Sequence, residues 1–149
     1  MTDVMFGLRP ATSSDVEFLW GTQHRALGDF IAVEFGTSVT EQRAFFDEHF
    51  DVDAHEIVLN EGEEIGFLFY EERSDHLYLG NIALVPQYRR RGIGSAILAK
   101  IIDEAETAGL PIRLQVLKPN PARQFYEKRG FVVIDETDHH FQMIRHHRI

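Results

Sequence analysis

The stretch that most narrows the fold is Pro86-Gln87-Tyr88-Arg89-Arg90-Arg91-Gly92-Ile93-Gly94-Ser95, set between an apolar run and a helical pattern. Before it, His76 to Val85 reads as a strand, and Pro86 ends the ladder because proline has no N–H to donate. After it, Ile93, Ile97, Leu98, Ile101, Ile102 and Ala105 recur at three- and four-residue steps, the stripe of a helix facing a core. Gly109 stops that helix, with Pro111 just beyond. A helix start presents unpaired N–H groups and partial positive charge, and glycines there let an anion reach the backbone. With three arginines added, the junction predicts a pyrophosphate site. The common nucleotide loops do not fit. There is no G-x-x-x-x-G-K-[ST], and Ile97 stands where G-x-G-x-x-G needs its third glycine.

The remaining elements follow from local signals. Val4 to Arg9 reads as a first strand, and Thr12 or Ser13 caps a helix to about Leu27 with Asp15 in its first turn. Ser38 and Glu41 form a capping box for a helix over Glu41 to Phe50, while Gly28 to Thr37 reads as a short helix or a lid. Glu56 to Leu59, a turn at Glu61-Gly62-Glu63, and Ile65 to Tyr70 form a hairpin that pairs on with His76 to Val85. Ile112 to Leu117 is a buried strand, and Asn120-Pro121 opens a helix that runs to Gly130. Phe131 to Ile134 and Phe141 to Ile144 supply two last strands. The predicted class is α/β (α+β): one mixed, mostly antiparallel central sheet flanked by helices, in a single domain over residues 1–149.

Composition sets outer limits. No cysteine occurs, which excludes disulfides, thiolate metal sites and a cysteine nucleophile. The formal charge of −9 opposes a nucleic-acid partner and weakly favours a cationic or amine-bearing one. No apolar run approaches a membrane span, and the start Met1-Thr2-Asp3-Val4 lacks a secretory layout, so the expectation is a cytoplasmic chain with no membrane partner. His139-His140 and His146-His147 suggest metal, but neighbours in a strand point to opposite faces, so no metal site is expected.

Arg89-x-x-Gly92-x-Gly94 resembles the [QR]-x-x-G-x-[GA] signature of the GNAT superfamily of N-acetyltransferases. Asn81-Ile82-Ala83-Leu84-Val85-Pro86 is similar to that family's fourth strand, which splays from the fifth. Asn120, Ala122, Tyr126 and Gly130-Phe131 resemble its N-x-x-A-x-x-x-Y-x-x-x-G-F helix, with Ala122 one place early. The likeness is strong from about Leu77 to Phe131 and elsewhere rests on element order. It implies acetyl-CoA as co-substrate. The backbone of Ile82, Ala83 and Leu84 would hold the pantetheine and thioester, and Arg90, Arg91, Gly92, Ile93, Gly94 and Ser95 would wrap the pyrophosphate with Arg89 beside it. Asn120 would bond the pantetheine arm, and Tyr126 would sit by the sulfur.

The chemistry suits these residue types. Attack of an amine on a thioester puts negative charge on the carbonyl oxygen, which a strand N–H near Leu84 can stabilise. The departing thiolate can take a proton from the Tyr126 hydroxyl. An alkylamine with pKa near ~10.4 is mostly protonated at neutral pH, so a proton must also be removed. Where many relatives carry a glutamate, this chain has Asn81 and Gln115, neither of them a base. His24, Glu34 and His140 are the substitute candidates, alongside water leading to solvent. The expectation is therefore transfer to a primary amine, by a monomer or homodimer. The alternative is an acyl-CoA-binding regulatory module without turnover.

Overall fold

The computed structural model describes residues 5–89 and 91–148. Within them the strands are β1 (Gly7–Pro10), β2 (Glu56–Asn60), β3 (Glu63–Glu72), β4 (Leu77–Leu84), β5 (Ile112–Leu117), β6 (Val132–Glu136) and β7 (His140–Arg145). The helices are α1 (Val16–Phe35), α2 (Val39–His49), α3 (Ile93–Ala108) and α4 (Ala122–Glu127). The described strands form one sheet in the order β1-β2-β3-β4-β5-β7-β6, antiparallel at every junction except β4–β5. The mixed, mostly antiparallel class is thus as expected, and so is the succession of elements.

Two apolar layers sandwich the sheet. On one face Ile93, Ile97, Leu98 and Ile101 of α3 and Tyr126 of α4 pack on Val58, Leu68, Leu79, Leu114 and Val116. On the other, Leu19 of α1 and Phe46 of α2 meet Ile57, Phe67 and Ala83. The isoleucine stripe is the reason α3 lies where it does: its apolar face is removed from water against the middle strands.

Helix α1 differs from expectation. Instead of ending near Leu27 and leaving a short helix or lid, it continues through Gly28 to Phe35. Gly28 is retained inside the helix because α2 crosses there: Gln42 Nε2 donates to its carbonyl at 3.2 Å, and a Cβ would meet His24 Nδ1 at 2.6 Å. Tertiary packing outweighs the weak helix propensity of glycine. The helix ends at Gly36, whose φ of 66° closes it with an N–H bond to Ala32. The Ser38–Glu41 capping box forms as read, with α2 starting at Val39. Thr12 caps a single 3-10 turn that leads into α1. The β2–β3 turn has two residues, Glu61 and Gly62, both at positive φ, and Glu63 already belongs to β3. The first strand starts at Gly7; Val4 lies outside the described residues. Helix α4 ends at Glu127, short of the expected Gly130.

Two features of β4 position the site. Its pairing with β3 passes from Phe69↔Asn81 to Tyr70↔Leu79, so Gly80 is an extra residue, a bulge. The bulge reverses the alternation of faces: Leu77 and Leu79 point to α3, whereas beyond Gly80 it is Ala83 that joins the α1–α2 layer. Glycine is required there, since a Cβ would meet Phe69 Cδ2 at 2.5 Å. The second feature is the junction with β5. Only Leu77↔Ile112 and Tyr78↔Arg113 are paired, after which the strands part.

Candidate active site

The parting of β4 and β5 opens a cleft of about 220 Å³ bordered by Leu79 to Ile82, Leu114 to Leu117, and Asn120, Ala122 and Tyr126, with Leu27 and His140 completing the rim. The backbone of β4 is not fully used along it. Val85 N donates to Ile65 O at 2.8 Å, which fixes the phase of the β3–β4 ladder. Alternation along an antiparallel pair then turns the N–H and C=O of Ala83 toward β3 and those of Ile82 and Leu84 toward the gap. Of the three backbone positions expected to hold the pantetheine, Ile82 and Leu84 face away from β3, with Ile82 bordering the cleft, and Ala83 faces β3.

Beyond the end of β4, Gly92, at φ 81°, caps α3. The first N–H groups of a helix lack internal partners, so they point out beside the exposed Arg89 and Arg91. Arg90 lies outside the described residues. Ile93 is buried and anchors the turn, while a Cβ on Gly94 would come only to 3.8 Å of Leu84. The Arg91 guanidinium lies over the Tyr88 ring at 5.0 Å. Ser95 Oγ accepts from Arg129 Nη2 at 2.6 Å, and that guanidinium stacks on Phe125 at 3.8 Å. Arg129 thus brings a further cation to the start of α3 from the end of α4. The sequence offered no signal for it beyond its place beside Gly130.

Tyr126 lines the cleft at 8% exposure, its ring edge-on to Phe125 and Phe131. Burial pushes its hydroxyl pKa up to about 12, so it holds its proton throughout the neutral range. Its hydroxyl has no protein partner among the described residues, which leaves the proton free to serve a ligand. Asn120 Oδ1 accepts from the N–H of Ala122, the first residue of α4, at 2.9 Å, and Asn120 also borders the cleft.

The acceptor-side candidates divide. Asn81, Gln115 and His140 all border the cleft. Gln115 Oε1 accepts from Gln142 Nε2 at 2.9 Å, and burial lowers the pKa of His140. His24 and Glu34 do not reach the cleft. His24 is stacked on Trp20 at 5.2 Å, and Glu34 pairs with His139 Nδ1 at 3.1 Å. His24 stacks on a residue one turn earlier in the same helix, and the continuation of α1 past Leu27 carries Glu34 to His139. His55 went unnoticed in the sequence. It adjoins the cleft through Asn81, whose Nδ2 lies 3.3 Å from His55 Nε2. Among the described residues no group of three or more His, Asp or Glu is placed to hold a metal ion.

The model of the acetyltransferase (GNAT) domain family matches residues 52–133, which is more than half of the chain and includes β4, the arginine–glycine turn, α3, β5 and α4. The chain belongs to the GNAT acetyltransferase family. Among sequence relatives, the GNAT chain is 34% identical over 79 residues to the [ribosomal protein bS18]-alanine N-acetyltransferase of Haemophilus influenzae, covering 52% of this chain and 54% of that one. It is 38% identical over 72 residues to the enzyme of the same name from Escherichia coli K12, covering 47% and 49%. The chain thus spans about half the length of the curated relatives it matches. Its fold is similar to that of the PaiA N-acetyltransferase from Thermoplasma acidophilum in complex with coenzyme A, at a TM-score of 0.79 and 19% identity over 96% of this chain and 99% of that one. It is also similar to the ribosomal-protein-S18-alanine N-acetyltransferase from Escherichia coli, at 0.66 and 24% over 97% and 96%.

Proposed function

We propose that this GNAT domain transfers an acetyl group from acetyl-CoA to a primary amine held in the same complex. The observation that carries this reading is the β4–β5 cleft, which joins strand amides turned away from β3 to an unpartnered, protonated tyrosine, with a glycine-opened helix start following the end of β4. Acetyl-CoA supplies a thioester carbonyl open to attack. Arg89, Arg90 and Arg91, with the backbone of Gly92, Ile93, Gly94 and Ser95, hold its pyrophosphate. The backbone of Ile82 and Leu84 pairs with the pantetheine amides, and Asn120 adds a hydrogen bond to that arm. The Leu84 N–H faces charge developing on the acetyl oxygen. Tyr126 donates its proton to the departing sulfur. Asn81, Gln115 and His140 line the approach of the amine, whose own proton leaves to water.

The relatives act, by their names, on the alanine of a ribosomal protein, which supports a peptide N-terminal amine as one acceptor class beside small amines. No described helix is long and apolar enough to cross a membrane. We take the chain as a cytoplasmic single domain over residues 1–149, a monomer or homodimer, and its net charge of −9 weighs against a nucleic-acid partner. The deciding assay incubates the chain with acetyl-CoA and a panel of an alanine-led peptide, an alkyl diamine and an amino-acid amide, and follows thiol release. Saturable release with one amine is expected. Coenzyme binding by calorimetry with no release from any amine would instead favour a regulatory module.

A further inference from the structure

A second hollow opens beside the cleft, and Gly80 and Asn81 border both. His55 forms its inner wall, 6% exposed, stacked on Phe50 at 4.2 Å and touching Phe67 and Phe69 at 5.6 and 5.5 Å. A polar ring buried this far needs partners for its nitrogens. His55 Nδ1 lies 2.6 Å from the carbonyl oxygen of Asp51. A carbonyl only accepts, so the ring proton sits on Nδ1, and in the neutral ring Nε2 carries a lone pair. The Asn81 amide nitrogen, 3.3 Å away, donates to that lone pair. The tautomer of His55 therefore decides which way the Asn81 amide faces. Its NH₂ turns to the ring and its oxygen turns away from it; no described residue donates to that oxygen, and Asn81 itself borders the cleft.

We propose that His55 is a positioning residue that locks Asn81 Oδ1 toward the acceptor space, where it receives an N–H from the amine to be acetylated. This rests on the acetyl-transfer reading above. It gives Asn81 a role suited to its chemistry: an amide cannot take a proton, but its oxygen can orient an amine that must present its lone pair to the thioester. The Gly80 bulge is what brings Asn81 to this face, so backbone and side chain serve the same end.

The arrangement is sensitive to acid. A protonated His55 would donate from both nitrogens, and Nε2–H would oppose the Asn81 NH₂. The amide must then turn, and the amine meets a donor instead of an acceptor. Burial lowers the pKa of His55, so this change falls below the usual imidazole range. His49, Asp51 and Tyr78 are the other titratable groups around the hollow. Of these, Asp51 raises the pKa of His55, but burial outweighs it.

The test compares the full chain with His55→Phe and His55→Gln, using whichever amine of the panel above turns over fastest. His55→Phe should raise KM for the amine about tenfold, the worth of one hydrogen bond, with KM for acetyl-CoA unchanged. In His55→Gln, Oε1 can accept from Asn81, so most of the amine affinity should return. Loss of free amine raises KM in acid for every form alike, and the additional rise expected of the wild type should be missing from His55→Gln. An unchanged amine KM in folded His55→Phe overturns the proposal. If that variant does not fold, nitrogen NMR of the wild-type ring decides: a proton on Nδ1 supports the proposal and one on Nε2 overturns it. A wild type that releases no thiol with any amine sinks the acetyl-transfer reading, whereas wild-type turnover with an indifferent His55 sinks this inference alone.

Discussion

Replacing Tyr126 by phenylalanine removes one oxygen from a buried ring and separates two consequences of the same burial. For chemistry, the loss of the proton donor should lower the acetyl-transfer rate about a hundredfold or more, the usual worth of a general acid. Coenzyme affinity measured by calorimetry should stay near wild type, because the ring still packs on Phe125 and Phe131. For stability, burial raises the hydroxyl from 10.0 to about 12, so the folded state keeps a proton that the unfolded state gives up. A raised folded pKa contributes stability that is complete below the unfolded value and lost as pH climbs from there to the folded one. Integrated to pH ~11, Tyr126 alone should lose about 1.4 kcal/mol relative to pH ~8. Tyr70 and Tyr88 also titrate high and add to the wild-type slope, so the quantity to read is the difference between wild type and variant in urea midpoints at the two pH values. The variant should be the less alkali-sensitive of the two. Full turnover would remove Tyr126 from the reaction, and equal alkaline sensitivity would refute the burial argument.

Three further outcomes can be checked. Gly66→Ala would drive a Cβ into the Ala83 carbonyl of β4, and should cost about 1–3 kcal/mol in a denaturant titration. Asp15, whose carboxyl is pushed down to about 2 by its hydrogen bonds to Arg9, adds stability above the ordinary carboxylate range that is lost as pH falls toward 2. Asp15→Asn should therefore melt lower than wild type at neutral pH, with the gap closing in that acid window. Arg91→Glu should weaken coenzyme A binding at least about tenfold by calorimetry and flatten its salt dependence, while thermal stability barely changes at this exposed position.

The sequence was most legible where one local cause acts alone. The isoleucine stripe of α3, the Ser38–Glu41 box and the proline after β4 each formed as read, because period, cap chemistry and a missing N–H do not depend on distant partners. Gly28 was misleading for the opposite reason. Its place in α1 depends on the approach of α2, which no window around residue 28 contains. In the site, the turn after β4 was visible as a motif, and Asn81, Gln115 and His140 reached the cleft as their strands implied. His24 and Glu34 did not: His24 stacks on Trp20 one turn away, and the longer α1 commits Glu34 to His139. His55 stayed hidden because it precedes a strand without a motif of its own. What matters about it is the bond to Asn81, twenty-six positions away.

The divergence of β4 from β5 after two paired residues leaves a sheet that is incomplete by itself. Beyond those two pairs, no ladder bond joins the described residues of the two strands, which leaves room for something with its own amides to slide between them. A pantetheine arm has that character, so occupancy would close the protein's backbone ledger as a supplementary strand would. Amide exchange along Ile82 to Leu84 should then slow when coenzyme A is added, and the resistance of this chain to unfolding in a cell would track the local supply of its own co-substrate.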